Sequence, residues 1–221
     1  MAAFRGPILG DDVKVLSADA DIDTVTAVLA TAECLVVDDG VSPGWRDALR
    51  LVPGGRSRPF RAILSTRTAY GMAAVRGIVA WAIGHGYLAP ANRSRAESAL
   101  LEAMANAIFH GNLGLPGLNR FGGDADAYFK IATERLADPE WGARPIFVTL
   151  TPVGRLLIVH VGDVGCGFRP EPDTRDVGTL AGRGRRIMKA LAAIVRVSRG
   201  GRWTSLGFPM RDGSIVAGRR V

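Results

Sequence analysis

The sequence predicts an α+β protein, a two-layer α/β sandwich with a small βαβ-like extension in front of it. Three observations carry that reading. Helical periodicity runs through three successive stretches, residues 68–85, 95–110 and 125–137. Adjacent strand patterns follow at 146–150 and 156–161, joined by a turn at 152–155. The chain opens differently, with a strand at 13–17, a helix at 23–31 and a second strand at 34–37, the order of a βαβ fragment. Helices grouped before strands favour segregated layers over a doubly wound sheet, in which the two would alternate.

Each element has a local cause. A further helix is expected at 43–51, and the Pro-, Gly- and Arg-rich string at 53–59 marks a boundary between an extension, residues 1–55, and a main domain, residues 56–221. A strand at 61–65 leads into the first long helix. The second long helix starts at a Ser94 and Glu97 pair with capping-box spacing, and Gly111 suits its end. Asp124 caps the third, and Pro139 stops it. A helix at 184–194 and strands near 195–198 and 205–210 complete the pattern.

Composition excludes several classes. With 221 residues there is room for one substantial domain and an appendage. The 48% hydrophobic and 22% charged residues are ordinary for a globular chain and argue against long disorder, collagen-like or coiled-coil architecture. Apolar runs such as 77–83 and 156–162 fall well short of the ~20 residues a membrane helix needs. The first residues lack the basic start and apolar run of a secretory signal. Cys34 and Cys166 alone build no disulfide framework, so a cytoplasmic location is expected.

The net charge of +7 is unevenly spread. Residues 11–39 carry eight acids against Lys14, and residues 182–221 carry ten bases against Asp212. The two ends either dock on each other or are simply solvated, or the basic end offers a surface for phosphate, nucleic acid or an acidic protein. Bases scattered among apolar strand and helix positions disfavour nucleic acid.

Three constellations carry chemistry. On the second long helix, Glu102, Asn106 and His110 recur at i, i+4 and i+8, opposite Leu100, Leu101, Met104 and Ile108. The flanking positions are Ala99, Ala103, Ala105 and Phe109, not further charges, as if something bulky lay over the stripe. Next, the strand at 156–161 runs out into Asp163, Gly165 and Gly167, where glycines allow close backbone approach and the acid can accept a hydrogen bond from an exocyclic amine. Last, Gly182, Arg183 and Gly184 open an amphipathic helix whose free N–H groups and dipole favour phosphate.

In order, these elements resemble the N, G1 and G2 boxes of the GHKL (Bergerat) ATPase superfamily, over about residues 61–211. His110-Gly-Asn-Leu113, the helix at Asp126 and the segment 134–141 are similar to the stand-alone anti-sigma-factor serine kinases of bacterial partner-switching systems. The resemblance implies the Bergerat version of the fold, a mixed sheet with helices on one face. It also implies the ligands ATP and Mg²⁺. Asn106 would ligate the metal and Glu102 would be the general base. Asp163 would read the adenine amine, with Gly165 and Gly167 shaping that pocket and Thr204 beside it. Gly182, Arg183 and Gly184 would wrap the phosphates, and His110 would support the helix end near the nucleotide. The implied partners are a sigma factor, a STAS-like antagonist as phosphoryl acceptor, or both, with the kinase itself a possible homodimer. The alternative is a nucleotide-responsive binding module that switches partners without phosphoryl transfer. Two positions depart from the family pattern, Arg185 after the second glycine and Trp203 before Thr204. The string at 35–39 also resembles the start of a receiver domain, yet no acid occurs from 51 to 96 to supply its phosphoacceptor.

Overall fold

A computed structural model describes residues 13–33, 35–43, 60–118, 122–167 and 183–210. The helix expected at 43–51, apart from Pro43, and the linker at 53–59 lie outside the described residues, as does Gly182.

The molecule is an α+β sandwich on one seven-stranded mixed sheet. Its strands are β1 (Val13–Leu16), β2 (Leu35–Asp38), β3 (Phe60–Ser65), β4 (Pro145–Val153), β5 (Leu156–Gly162), β6 (Ile194–Ser198) and β7 (Trp203–Pro209), in the order β1-β2-β3-β4-β5-β7-β6. The first three pair in parallel, and every later pairing is antiparallel. The opening βαβ unit therefore adds two strands to the edge of the same sheet. Asp38 secures that addition: its buried carboxylate accepts from Gly40 N and from Ser65 N, both at 2.8 Å, tying the end of β2 to the end of β3. The acid that resembles a receiver-domain residue thus has a structural task.

The described helices lie on one sheet face. α1 (Ile22–Thr31) is capped by Asp21, which accepts from Thr24 N at 2.7 Å. It packs on α3 (Met72–Gly84) at Gly77, where a Cβ would stand 2.7 Å from Leu29 Cβ and 2.8 Å from Thr26 O. Trp81 Nε1 on α3 donates to Ala32 O at 2.7 Å, just past the end of α1. α4 (Arg93–Ala105) presents Leu100 and Met104 to the core, whereas Leu101, expected beside them, is 36% exposed. α7 (Arg183–Leu191) runs antiparallel along α4, since Gly184 meets Glu102 at one end and Arg95 Nη2 donates to Leu191 O at the other. α5 (Ala125–Ala137) starts at the expected Asp124 cap and is followed by the short α6 (Pro139–Gly142).

The helix expected to reach residue 194 ends at Leu191, because Ile194 already opens β6, and three further helix boundaries differ from expectation, each for a local reason. The single helix expected at 68–85 is broken into α2 (Thr66–Ala69) and α3, because Ser65 caps an earlier start and Gly71 intervenes at φ 102°. The capping box of Ser94 and Glu97 does not form. Pro90 begins a 3₁₀ turn, Pro90–Asn92, that leads straight into α4 one residue before Ser94, and Glu97 pairs with Arg93 at 3.4 Å instead. The third is at Gly111, which does not end the helix: α4 continues beyond Ala105 as a π-helical segment, Asn106–Asn112.

Gly77→Leu is expected to push α1 off α3 and cost about 1–3 kcal/mol, the usual range for overpacking, in urea denaturation. Gly84→Ala has open space around it and is the control, expected to be neutral or slightly stabilising.

Candidate functional site

The site is built where α4 widens into the π segment. Leu113 N bonds Ile108 O, five residues back, at 2.8 Å. π turns are rare and need tertiary support, and Asn112 supplies it. This side chain is fully buried, donating from Nδ2 to Thr66 Oγ1 (2.8 Å) and Pro145 O (3.0 Å) while Oδ1 accepts from Val164 N (3.1 Å). One amide thus joins the helix, the start of α2, the start of β4 and the turn after β5. Arg144, lying 4.0 Å over the Trp141 ring, donates to Asn112 O at 2.7 Å.

Asp163 sits at that turn. Its N–H continues the β5–β7 ladder to Arg202 O (3.0 Å), and its Oδ1 accepts from Gly165 N (2.9 Å). The carboxyl is 5% exposed and rests on Gly111, where a Cβ would come within 2.6 Å of Oδ1. A Cβ on Gly165 would overlap the Gly111 carbonyl. Helix and turn therefore meet backbone to backbone, which two glycines allow. Burial pushes the Asp163 carboxyl up to about 7, against the opposing pulls of the Gly165 N–H and the Arg202 charge. Gly167 has φ +72° and packs so closely on Gly200 O that a side chain there would clash.

At the other end of the stripe, Glu102 touches the start of α7. A Cβ on Gly184 would lie 2.5 Å from Glu102 Oε2. Burial raises the Glu102 carboxyl above the usual glutamate range, partly offset by the Arg183 charge. Asn106 and His110 lie between the two contacts, half-buried like Glu102. His110 Nδ1 pairs with Leu115 O at 2.8 Å. A carbonyl only accepts, so the Nδ1 proton is in place and the ring braces the helix end. Thr204, 4% exposed, stands opposite Val161 on the helix-facing side of β7. Strand alternation puts Asp163 on that same side.

The structure thus gathers Glu102, Asn106, His110, Asp163, Gly165 and Gly184 along one helix, with Thr204 on the same sheet face as Asp163 and Gly167 packed instead on Gly200. Trp203 points the other way: it stacks on Phe147, 6.3 Å between ring centroids, in a small cluster on the opposite sheet face. It takes no space from the Asp163 side. Two positioning residues escaped the sequence reading, Asn112 and Arg202. For Asn112 the only available signal was an amide directly after His110-Gly111, and its burial depends on the π turn.

No family model matches this sequence, and no curated protein matches it either.

Two outcomes follow from this geometry. Asp163 holds its extra proton in the folded state between its ordinary pKa of 3.8 and about 7, so its contribution to stability falls as pH rises through that window. Asp163→Asn is expected to flatten the slope and to be more stable than the parent at pH 8, by roughly 2–4 kcal/mol, in denaturant titrations at pH 4.5 and 8. Asn112→Ala removes the three hydrogen bonds of a buried amide, with Thr66 Oγ1 keeping only its donation to Arg144 O, and is expected to cost about 2–4 kcal/mol by the same method.

Proposed function

We propose that this chain is an ATP-binding serine/threonine protein kinase of the anti-sigma-factor type. The observation that carries the proposal is the double contact along one helix: Asp163 and Gly165 close on Gly111 at one end, Gly184 closes on Glu102 at the other, and Asn106 lies between. An acceptor for an exocyclic amine and a phosphate-seeking helix start are thereby joined by a single strip of polar side chains.

In this reading Asp163 accepts from the adenine amine with Thr204 beside it, and the close contact of Gly165 with Gly111 holds the acid in place. Arg183 and the N–H groups at the start of α7 would meet the phosphates, with Gly184 letting the helix start close on Glu102. Among the described residues no cluster of His, Cys, Asp and Glu could hold a metal by itself. Mg²⁺ would then arrive with the nucleotide, taking the Asn106 amide oxygen alongside phosphate and water oxygens, as suits a hard cation. Its role when bound is to neutralise charge on the transferring group.

The transfer itself asks little of the protein beyond position and one base. A serine hydroxyl oxygen of the acceptor bonds to the γ-phosphorus, the bond to the β–γ bridging oxygen breaks, and ADP leaves with that oxygen. The hydroxyl proton passes to Glu102, whose burial makes it a stronger base than an exposed glutamate. The acceptor proposed is a small STAS-like antagonist, with a sigma factor as the second partner and homodimerisation of the kinase as a further proposal.

Calorimetry with ATP, with and without Mg²⁺, tests binding first. Asp163→Ala is expected to weaken ATP by about 1–3 kcal/mol, the cost of stranding a buried partner, and unchanged affinity would sink the adenine assignment. Glu102→Ala is expected to abolish labelled-phosphate transfer to the acceptor with nucleotide affinity kept within a few-fold. ATP binding with no transfer by the parent protein would instead identify a nucleotide-responsive binding module.

A further inference from the structure

The two edges of the sheet carry opposite charge, and the fold keeps them apart within one molecule. β1 and β6 are the outer strands, and among the described residues no pairing joins them. Six strand spacings of about 4.8 Å put these edges roughly 29 Å apart, well beyond the ~8–10 Å over which surface charges interact in physiological salt. The acidic stretch around β1 and the basic stretch around β6 therefore do not neutralise one another inside one chain.

Both stretches nevertheless lie at the same end of the sheet. β1, β2 and β3 run in parallel, and β3, β4, β5, β7 and β6 alternate in direction. The ends of β1 and β2 and the turn between β6 and β7 thus share the Asp163 end. At the β1 corner Asp19, Asp21, Asp23 and Asp39 are all exposed. Lys14, the only base in residues 13–39, spends its ammonium on Thr31 O (3.0 Å) and Oγ1 (2.9 Å). At the β6 corner Arg196, Arg199 and Arg202 are exposed, and residues 183–210 contain no acid. Neither ion pair between described residues, Arg93 with Glu97 or Arg144 with Glu140, uses any of these groups. The β1 edge is also apolar at its centre. Val15 is 67% exposed and Ile22, at the start of α1, is 70% exposed, more than any other large apolar side chain among the described residues. Val195 and Val197 on β6 are partly exposed in turn.

An edge strand offers unpaired N–H and C=O groups, which a protein either blocks or uses. Charge decides which pairings are open here. A two-fold pairing of β6 with itself sets Arg196, the middle of that strand, against its own copy, whereas β6 against β1 joins unlike charges. We propose that the chain assembles head to tail, with β6 of one copy lying along β1 of the next. Both strands run toward the Asp163 end, so copies kept the same way up set them parallel and bring Arg199 and Arg202 of one against Asp19 and Asp23 of the next. Turning one copy over would part those charges. The contact is heterologous, so each added copy exposes a fresh edge and growth continues past two until a ring closes. It does not rest on the nucleotide reading.

Sedimentation velocity of the full chain over a dilution series tests this. At low ionic strength the weight-average mass is expected to rise with concentration past two copies. It is expected to fall toward one as salt is raised to about 1 M, where the Debye length is about 3 Å. Asp19→Lys with Asp23→Lys, and separately Arg196→Glu with Arg199→Glu, are each expected to stay monomeric, because both edges of such a copy then carry one sign. Mixed in equal amounts, the two double variants are expected to assemble again, since every edge meets its opposite. Variants that merely misfold would give no such rescue. A monomeric parent, a species that stops at two copies, double variants that assemble like the parent, or a mixture no larger than its components each overturns the proposal.

Discussion

Contact between the Gly111 backbone and Gly165 is the constraint on which the candidate site depends. A helix and the turn after a strand ordinarily keep a side chain's width apart. Here both partners lack a Cβ, so the Asp163 carboxyl is drawn onto the helix and out of water. That placement gives the acid its raised affinity for a proton and aims it along the same helix that carries Asn106 and Glu102. Asn112 holds the contact closed with hydrogen bonds to three different segments. The π segment is what allows this asparagine to turn inward while His110 braces the outer side.

The sheet divides its two faces between different tasks. The helix-facing side carries the main core and, at one end, Asp163 and Thr204. The opposite side carries the Trp203 cluster. Gly162 connects them, because the Trp203 ring lies over it where a Cβ would come within 2.8 Å. Trp203 is therefore seated by a neighbouring glycine and does not reach the Asp163 side of the sheet. The opening βαβ unit matters to both faces. By pairing β2 with β3 it turns β3 from an edge strand into an interior one.

Local rules were legible wherever one cause acted alone. Asp124 caps the helix that follows it, and the β4–β5 hairpin and the β7–β6 pair occur where alternation placed strands. Reading failed where two local signals competed. Ser94 and Glu97 had the spacing of a cap, but Pro90 had already started the helical path. Apolar periodicity ran across Gly71, yet the glycine there adopts a left-handed φ that a continuous helix excludes. Leu101 matched the apolar stripe by type, and the packing of α4 left it in solvent.

By itself the sequence determined the α+β layering, most strand positions, and the residue types along the stripe from Glu102 to His110. Periodicity, caps and turns are local properties of the chain, so no fold is needed to see them. Only the tertiary structure decided that Asp163 lies on Gly111, that Gly184 lies on Glu102, and that Asn112 is buried among three segments. These contacts join residues about fifty or more positions apart or depend on a π turn, and their strength comes from burial and close approach that exist only once sheet and helices have packed.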